Sequence, residues 1–149
     1  MRIFAAAAVA FALCSNSGAL EKKLTLKDLP PAVQQTVNAE LKGGEIKSID
    51  KETEHGVTQY EIETLMNGKH RDFNVDLKGN LVVVEEETPI DAIPAPAKAG
   101  ILKRVADGKL GLVETVTQGA KTLYEAHYIS KNGRRHEVLV KSDGAETKE

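Results

Sequence analysis

The residues that most constrain this chain run from Tyr60 to Gly79, YEIETLMNGKHRDFNVDLKG, because a degenerate copy returns at Tyr124 to Gly144 as YEAHYISKNGRRHEVLVKSDG. Each copy opens with Tyr-Glu, turns at Asn-Gly, continues with basic or histidine residues and alternates toward a valine and a closing glycine. One hairpin is written twice, and a duplication of this length implies two similar supersecondary units rather than a solenoid of shorter repeats.

In the first copy Asn67-Gly68 suits a two-residue type I′ turn, whose central residues both take positive φ. That turn sets Met66 opposite Lys69, Thr64 opposite Arg71, Ile62 opposite Phe73 and Tyr60 opposite Val75. By the two-residue period of a strand, Tyr60, Ile62, Phe73 and Val75 share an inner face, while Glu61, Glu63, Asp72 and Asn74 take the outer one. The second copy is one residue longer, so Lys131-Asn132-Gly133 predicts a three-residue connection closed by Gly133 in the left-handed region. Tyr124 then faces Val140 and Ala126 faces Val138. His127 faces Glu137 on the outer side, and Tyr128 faces His136 on the inner side.

Ahead of each hairpin lies a helix signal. In LPPAVQQTVNAELKGG, Pro30 and Pro31 suit an opening turn, Val33, Val37 and Leu41 form an apolar stripe, and Gly43-Gly44 stop it. In IPAPAKAGILKRVADGK, Ala97, Ile101 and Val105 repeat the stripe and Asp107-Gly108 repeat the stop. Strand signals fill Glu45 to Glu54, Lys109 to Gln118 and Asn80 to Glu87, whereas Ala145 to Glu149 is short and polar and predicts a stub. The fold class is α+β: two tandem repeats, each a helix on an antiparallel sheet of up to four strands, at 20–87 and 93–149, with 88–92 as the linker.

Residues 1–19 read as a secretory signal peptide, with Arg2 as the charged start, an apolar run from Ile3 to Cys14, and small residues at Ser17 and Ala19 that place cleavage after Ala19. The run is about half of the roughly 20 residues a spanning helix needs, so no membrane anchor is expected. Leu13 is too large for the residue before a lipidated Cys14. Cleavage would remove that cysteine and leave hydrophobic burial to hold the chain. Arg2 is the only charge in residues 1–19, so the remainder has 19 basic and 22 acidic side chains, a net charge of −3. Nucleic acid, which asks for a basic stripe, is therefore not an expected partner.

LPPAVQQTV, the Tyr60-Glu61-Ile62-Glu63 strand, Asn67-Gly68-Lys69, the strand Phe73 to Val75, Gly79 and the strand Val82 to Glu86 resemble, in that order, the PepSY-like, β-lactamase-inhibitor-like domains of secreted bacterial proteins. The resemblance implies a helix laid across a four-stranded antiparallel sheet. In tandem it implies an inhibitor-like protein that presents its exposed sheet face to an enzyme. The second unit departs from the pattern at Ala126, where the first has Ile62, and in its short last strand.

Histidines invite a metal reading, but a structural zinc site needs three or four convergent ligands. His55 falls in a turn, His70 lies in the first unit, and His127 and His136 point to opposite faces, so no metal or other cofactor is assigned. His127 with Glu137 is the one pair that merits inspection. Glu61, Glu63 and Asp72 resemble paired catalytic carboxylates, yet outward charges on an antiparallel strand are ordinarily solubilising, and no nucleophile motif accompanies them. No catalytic residue is assigned. The reading is a periplasmic or secreted non-enzymatic module that binds a protein or peptide of the cell envelope through Glu61, Glu63, Leu65, Asp72, His127, Ile129, Glu137 and Leu139. The alternatives are a small-ligand or metal-binding protein, or a hydrolase with a site between the units.

Overall fold

The computed structural model describes residues 23–54 and 56–147, so the leader read at residues 1–19 and His55 lie outside the described residues. Proline at the first helical position sacrifices no intrahelical hydrogen bond, and Pro31 opens the first helix, α1 (Pro31–Leu41). Lys42 and Gly43, at φ 45° and 86°, then turn the chain away. The second helix, α2 (Ala95–Val105), carries Pro94 at its N-cap and ends at Ala106, φ 48°. Val33 and Val37 of α1, and Ala97, Ile101 and Val105 of α2, are buried as their spacing predicts.

The described residues also form eight antiparallel strands, four after α1 and four after α2: β1 (Glu45–Glu54), β2 (Val57–Met66), β3 (Lys69–Asp76), β4 (Leu81–Glu87), β5 (Lys109–Gln118), β6 (Lys121–Ile129), β7 (Arg135–Lys141) and the stub β8 (Glu146–Thr147). Asn67 and Gly68 sit at φ 54° and 79°, the positive pair a type I′ turn demands. The register is the expected one, with Tyr60 opposite Val75 and Ile62 opposite Phe73. In the second hairpin, Gly133 takes φ 81° and donates its N–H to the Ser130 carbonyl at 2.8 Å. Tyr124 pairs with Val140, Ala126 with Val138 and His127 with Glu137.

The expectation of a sheet for each repeat is corrected in one respect. All eight strands belong to a single sheet in chain order, joined where β4 pairs with β5 from Val84–Thr117 to Glu87–Glu114. The physical reason is the edge: a four-stranded sheet ends in unpaired N–H and C=O groups, and two such edges satisfy each other. The stretch 88–92 is correspondingly more than a passive connection. Thr88 donates its N–H to the Val113 carbonyl at 2.9 Å, and Ile90 packs on the second core.

Both helices cover the same face. Leu29, Val33 and Val37 meet Ile49, Tyr60, Ile62, Phe73 and Val75, with Val84 alongside. Ile93, Ala97, Ile101 and Val105 meet Val113, Ala126, Tyr128, Val138 and Val140. Val84 pairs with Thr117, and Thr117 and Val113 share a face of β5 by strand alternation. Arg71, buried on this face, clamps α1 to the sheet through Glu40 Oε2 at 2.6 Å and Glu86 Oε1 at 3.1 Å. Gly79 is the closing glycine of the first copy, and a Cβ there would come within 2.7 Å of the Ala32 carbonyl oxygen. Gly144 tucks under Pro96 of α2 in the same way, so the repeated glycine seats a turn against each helix.

Candidate functional site

Strand alternation places Glu63 and Glu61 of β2, Asp72 and Asn74 of β3, Val83 and Glu85 of β4, Glu114 and Val116 of β5, Leu123, Glu125 and His127 of β6, and Leu139 and Glu137 of β7 on the helix-free face. Cross-strand pairing brings them side by side: Glu61 with Asn74, Asp72 with Glu85, Glu114 with Glu125, and Glu125 with Leu139. Among the described residues, the only basic residue besides His127 paired into this set is Lys141, opposite Leu123.

The solubilising reading of the outer carboxylates does not survive. Glu61 is 8% exposed and Glu125 4%. Alternation decides which face a side chain takes, and crowding by neighbours on adjacent strands decides how much water it keeps. Burial, a hydrogen bond shared with Glu52, and the charges of Glu52, Glu63 and Glu85 push the Glu61 carboxyl up to about 9. Burial pushes Asp72 up to about 6, helped by the charges of Glu114 and Glu63 and opposed by the Thr64 N–H, which donates to its Oδ1 at 2.8 Å. Ser48 donates to Glu63 Oε2 at 2.7 Å.

Strands β5, β6 and β7 carry a different arrangement. Glu125 and His127 are two apart on β6, and Glu137 stands directly across from His127. His127 Nε2 lies 3.2 Å from Glu114 Oε2 and 3.6 Å from Glu125 Oε1, while Nδ1 lies 3.4 Å from Glu137 Oε1. Three carboxylates thus surround one imidazole. Hydrogen bonds to Glu114 and Glu137, with the Glu125 charge, raise its pKa to about 10 against the opposing effect of burial. Burial, with the charges of Glu137 and Glu114, raises Glu125 to about 7, against the lowering effect of His127. Glu114, 3% exposed, leaves Oε1 buried without a hydrogen-bond partner.

The apolar candidates separate. Leu139, 9% exposed, is buried with Val83 and Val116, against which Val82 and Leu123 pack, in a strip on the helix-free face. It is therefore no free surface residue. Leu65 pairs with His70 near the β2–β3 turn and belongs to none of the three apolar clusters. Ile129, 42% exposed, pairs with Arg135 at the far end of β6. Leu65, Ile129 and Leu139, all three named as partner-binding positions, do not share one apolar cluster. His136 stacks on Tyr128 with ring centroids 5.2 Å apart, and His70 Nδ1 is 4.0 Å from Asp72.

Sequence reasoning missed Glu52, Glu85, Glu114 and Glu125. A signal for one was present: Tyr124-Glu125 is the copy of Tyr60-Glu61, so naming Glu61 should have drawn in Glu125. A cavity of about 370 Å³ lies between residues 23–26 and 46–50, and Glu61, Asp72, Glu114 and Glu125 do not line it.

Neither a family model nor a curated protein matches the sequence. Solved structures share the fold. A protein provisionally described as periplasmic, from Bacteroides eggerthii, superposes with a TM-score of 0.63 at 15% identity over 80% of this chain and 86% of its own. A DUF2874 family protein from Bacteroides uniformis gives 0.62 at 15% identity over 80% and 86%. A β-lactamase-inhibitor-like (BLIP-like) protein from Bacteroides fragilis gives 0.55 at 15% identity over 80% and 83%. The chain therefore has a BLIP-like α+β fold, and at these identities the likeness speaks for the fold alone. No helix among the described residues is long and apolar enough to cross a membrane.

Proposed function

We propose that this chain is a non-enzymatic binding module of the bacterial envelope, PepSY-like and inhibitor-like in its use of the sheet, exported by residues 1–19 and acting in the periplasm. Its helix-free face takes a protein or peptide segment that sets Arg or Lys side chains beside an apolar one. The observation that carries this reading is the pair Glu61 and Glu125, copies of one position in the two repeats, both buried on that face and both raised in pKa by that burial.

A buried carboxyl with a raised pKa keeps its proton because the charge around it does not compensate the ionised form. A guanidinium or ammonium delivered by a partner restores the ionised form and forms charge-assisted hydrogen bonds, which are about twice as strong as neutral ones. Val83, Val116 and Leu139 lie largely buried on the same face, and the partly exposed Val82 and Leu123 packed against them offer an apolar seat. Glu63, Asp72, His127 and Glu137 flank this array, with Leu65 and Ile129 toward its ends.

The test is selection of a random-peptide display library on the purified protein. Recovered peptides should pair Arg or Lys with a large apolar residue, and a Glu61→Gln/Asp72→Asn double variant should bind them far less tightly while keeping its circular dichroism. Recovery of acidic peptides, or binding unaffected by the double variant, contradicts the reading.

A further inference from the structure

The geometry points to a transition-metal site, of the zinc class, formed by Glu125, His127 and Glu137 on the second repeat, with Glu114 holding the imidazole from behind. This goes beyond the peptide-binding reading and does not depend on it, because the metal is tested alone.

Three elements converge for reasons of register. Glu125 and His127 share a face of β6, Glu137 faces His127 from β7, and Glu114 faces Glu125 from β5. Glu125, His127 and Glu137 each offer one donor atom, and the three atoms lie within 4.8 Å of one another. The spacing from His127 Nδ1 to Glu137 Oε1 is 3.4 Å. That is a hydrogen bond stretched past the usual range, which ends near 3.2 Å. It matches the ~3.4 Å edge of a tetrahedron with bonds of about 2.1 Å, the geometry zinc takes with nitrogen and oxygen ligands.

A histidine that binds a metal almost always donates its other ring N–H to a carboxylate or carbonyl, which fixes the tautomer. Glu114 Oε2, 3.2 Å from Nε2, is placed to accept that bond, so a metal would take the Nδ1 side, where it replaces the proton shared with Glu137. A second and separate observation is an unsatisfied oxygen beside this cluster. The Glu114 side chain is 4% exposed, turned toward the histidine, and its Oε1 is buried without a hydrogen-bond partner. A buried carboxylate oxygen without a hydrogen bond is costly, and three carboxylates around one imidazole carry an excess of negative charge that a divalent ion would balance. One imidazole and two carboxylates suit zinc or a neighbouring transition ion better than calcium, which takes six to eight oxygens. Three protein ligands also leave a four-coordinate ion one position for water or for a donor atom of a bound molecule.

The experiment is a titration of chelator-treated protein with zinc chloride, in competition with a chromophoric chelator at pH 7.5, with calcium and magnesium chloride as parallel arms. One zinc per chain is expected, and His127→Gln should weaken it roughly a hundredfold, the loss of one of three ligands. Glu137→Gln, at an exposed position where folding is not at stake, should also weaken it. Glu114→Gln should cost about tenfold, as for a residue that orients a ligand. His136→Gln, which alters the imidazole stacked on Tyr128, should leave zinc affinity unchanged. Nitrogen NMR of the histidine rings should show His127 bound through Nδ1. The proposal is overturned if zinc fails to bind below millimolar concentration, if His127→Gln and Glu137→Gln bind like the parent, or if His136→Gln is as damaging as His127→Gln. A failed titration leaves the peptide selection untouched, and failed peptide selection leaves the titration untouched.

Discussion

Replacing Glu61 with glutamine should make the protein more stable at pH 8 and leave it unchanged near pH 4. The Glu61 carboxyl is held at about 9 against 4.5 in the free residue, through burial and through its neighbours Glu52, Glu63 and Glu85. A group raised in the folded state contributes its full stability below 4.5 and loses it as pH rises through the window to about 9. At pH 8 the folded chain keeps a proton that the unfolded chain has released, at a cost of up to about 5 kcal/mol at 1.36 kcal/mol per pH unit. Relaxation and water entry around a partly hydrated carboxyl reduce this to roughly 2 kcal/mol. Glutamine fills the same volume, donates to Glu52 and does not titrate, so the Glu61→Gln chain escapes the whole effect. Urea unfolding at pH 4.5 and pH 8 measures it directly: the variant should match the parent in the first buffer and exceed it by about 2 kcal/mol in the second. A gain equal at both pH values, or a loss at pH 8, would refute the claim that this carboxyl is buried short of a counter-charge.

Gly68→Val should cost about 1 to 3 kcal/mol, because residue 68 sits at φ 79°, where a β-branched side chain is strained; an unchanged denaturation midpoint would contradict the turn. Leu139→Asp should destabilise by about 2 kcal/mol or more, since it puts a carboxylate into the strip with Val83 and Val116 directly opposite Glu125. Leu65→Arg should stay within about 0.5 kcal/mol of the parent, and melts of the two variants by circular dichroism separate these outcomes. Intact-mass measurement of exported protein should give a chain starting at Leu20, and any other start moves the leader boundary.

Much of this architecture was legible because its determinants are local. Asn67-Gly68 dictates a turn and the turn dictates a register, so pairs as distant as Tyr60–Val75 followed from two residues. Gly133 did the same for the longer copy. The joining of β4 to β5 was not legible, since pairing of two sheet edges depends on where whole repeats lie and leaves no periodic mark. Bulges also escaped: register shifts between Ile46 and Ser48 and between Leu110 and Val113, and only Gly111 hinted at the second. At the site, alternation assigned Glu61 and Leu139 to the correct face and misjudged both environments. Period two carries no information on how closely neighbouring strands crowd a side chain, and the residues concerned come from other strands: Glu52 and Glu85 act on Glu61, and Val83 and Val116 bury Leu139.

Methyl NMR of the selectively labelled protein, titrated with one selected Arg-containing peptide, tests the central claim most directly. If the helix-free face is the binding surface, the methyl signals of Val83, Val116, Leu123 and Leu139 shift in proportion to peptide added, while those of Val33, Val37 and Ile101, packed between helix and sheet, stay in place. Shifts confined to Val33, Val37, Ile101 and the exposed Leu102 of α2 would put the peptide on the helical side and contradict the account.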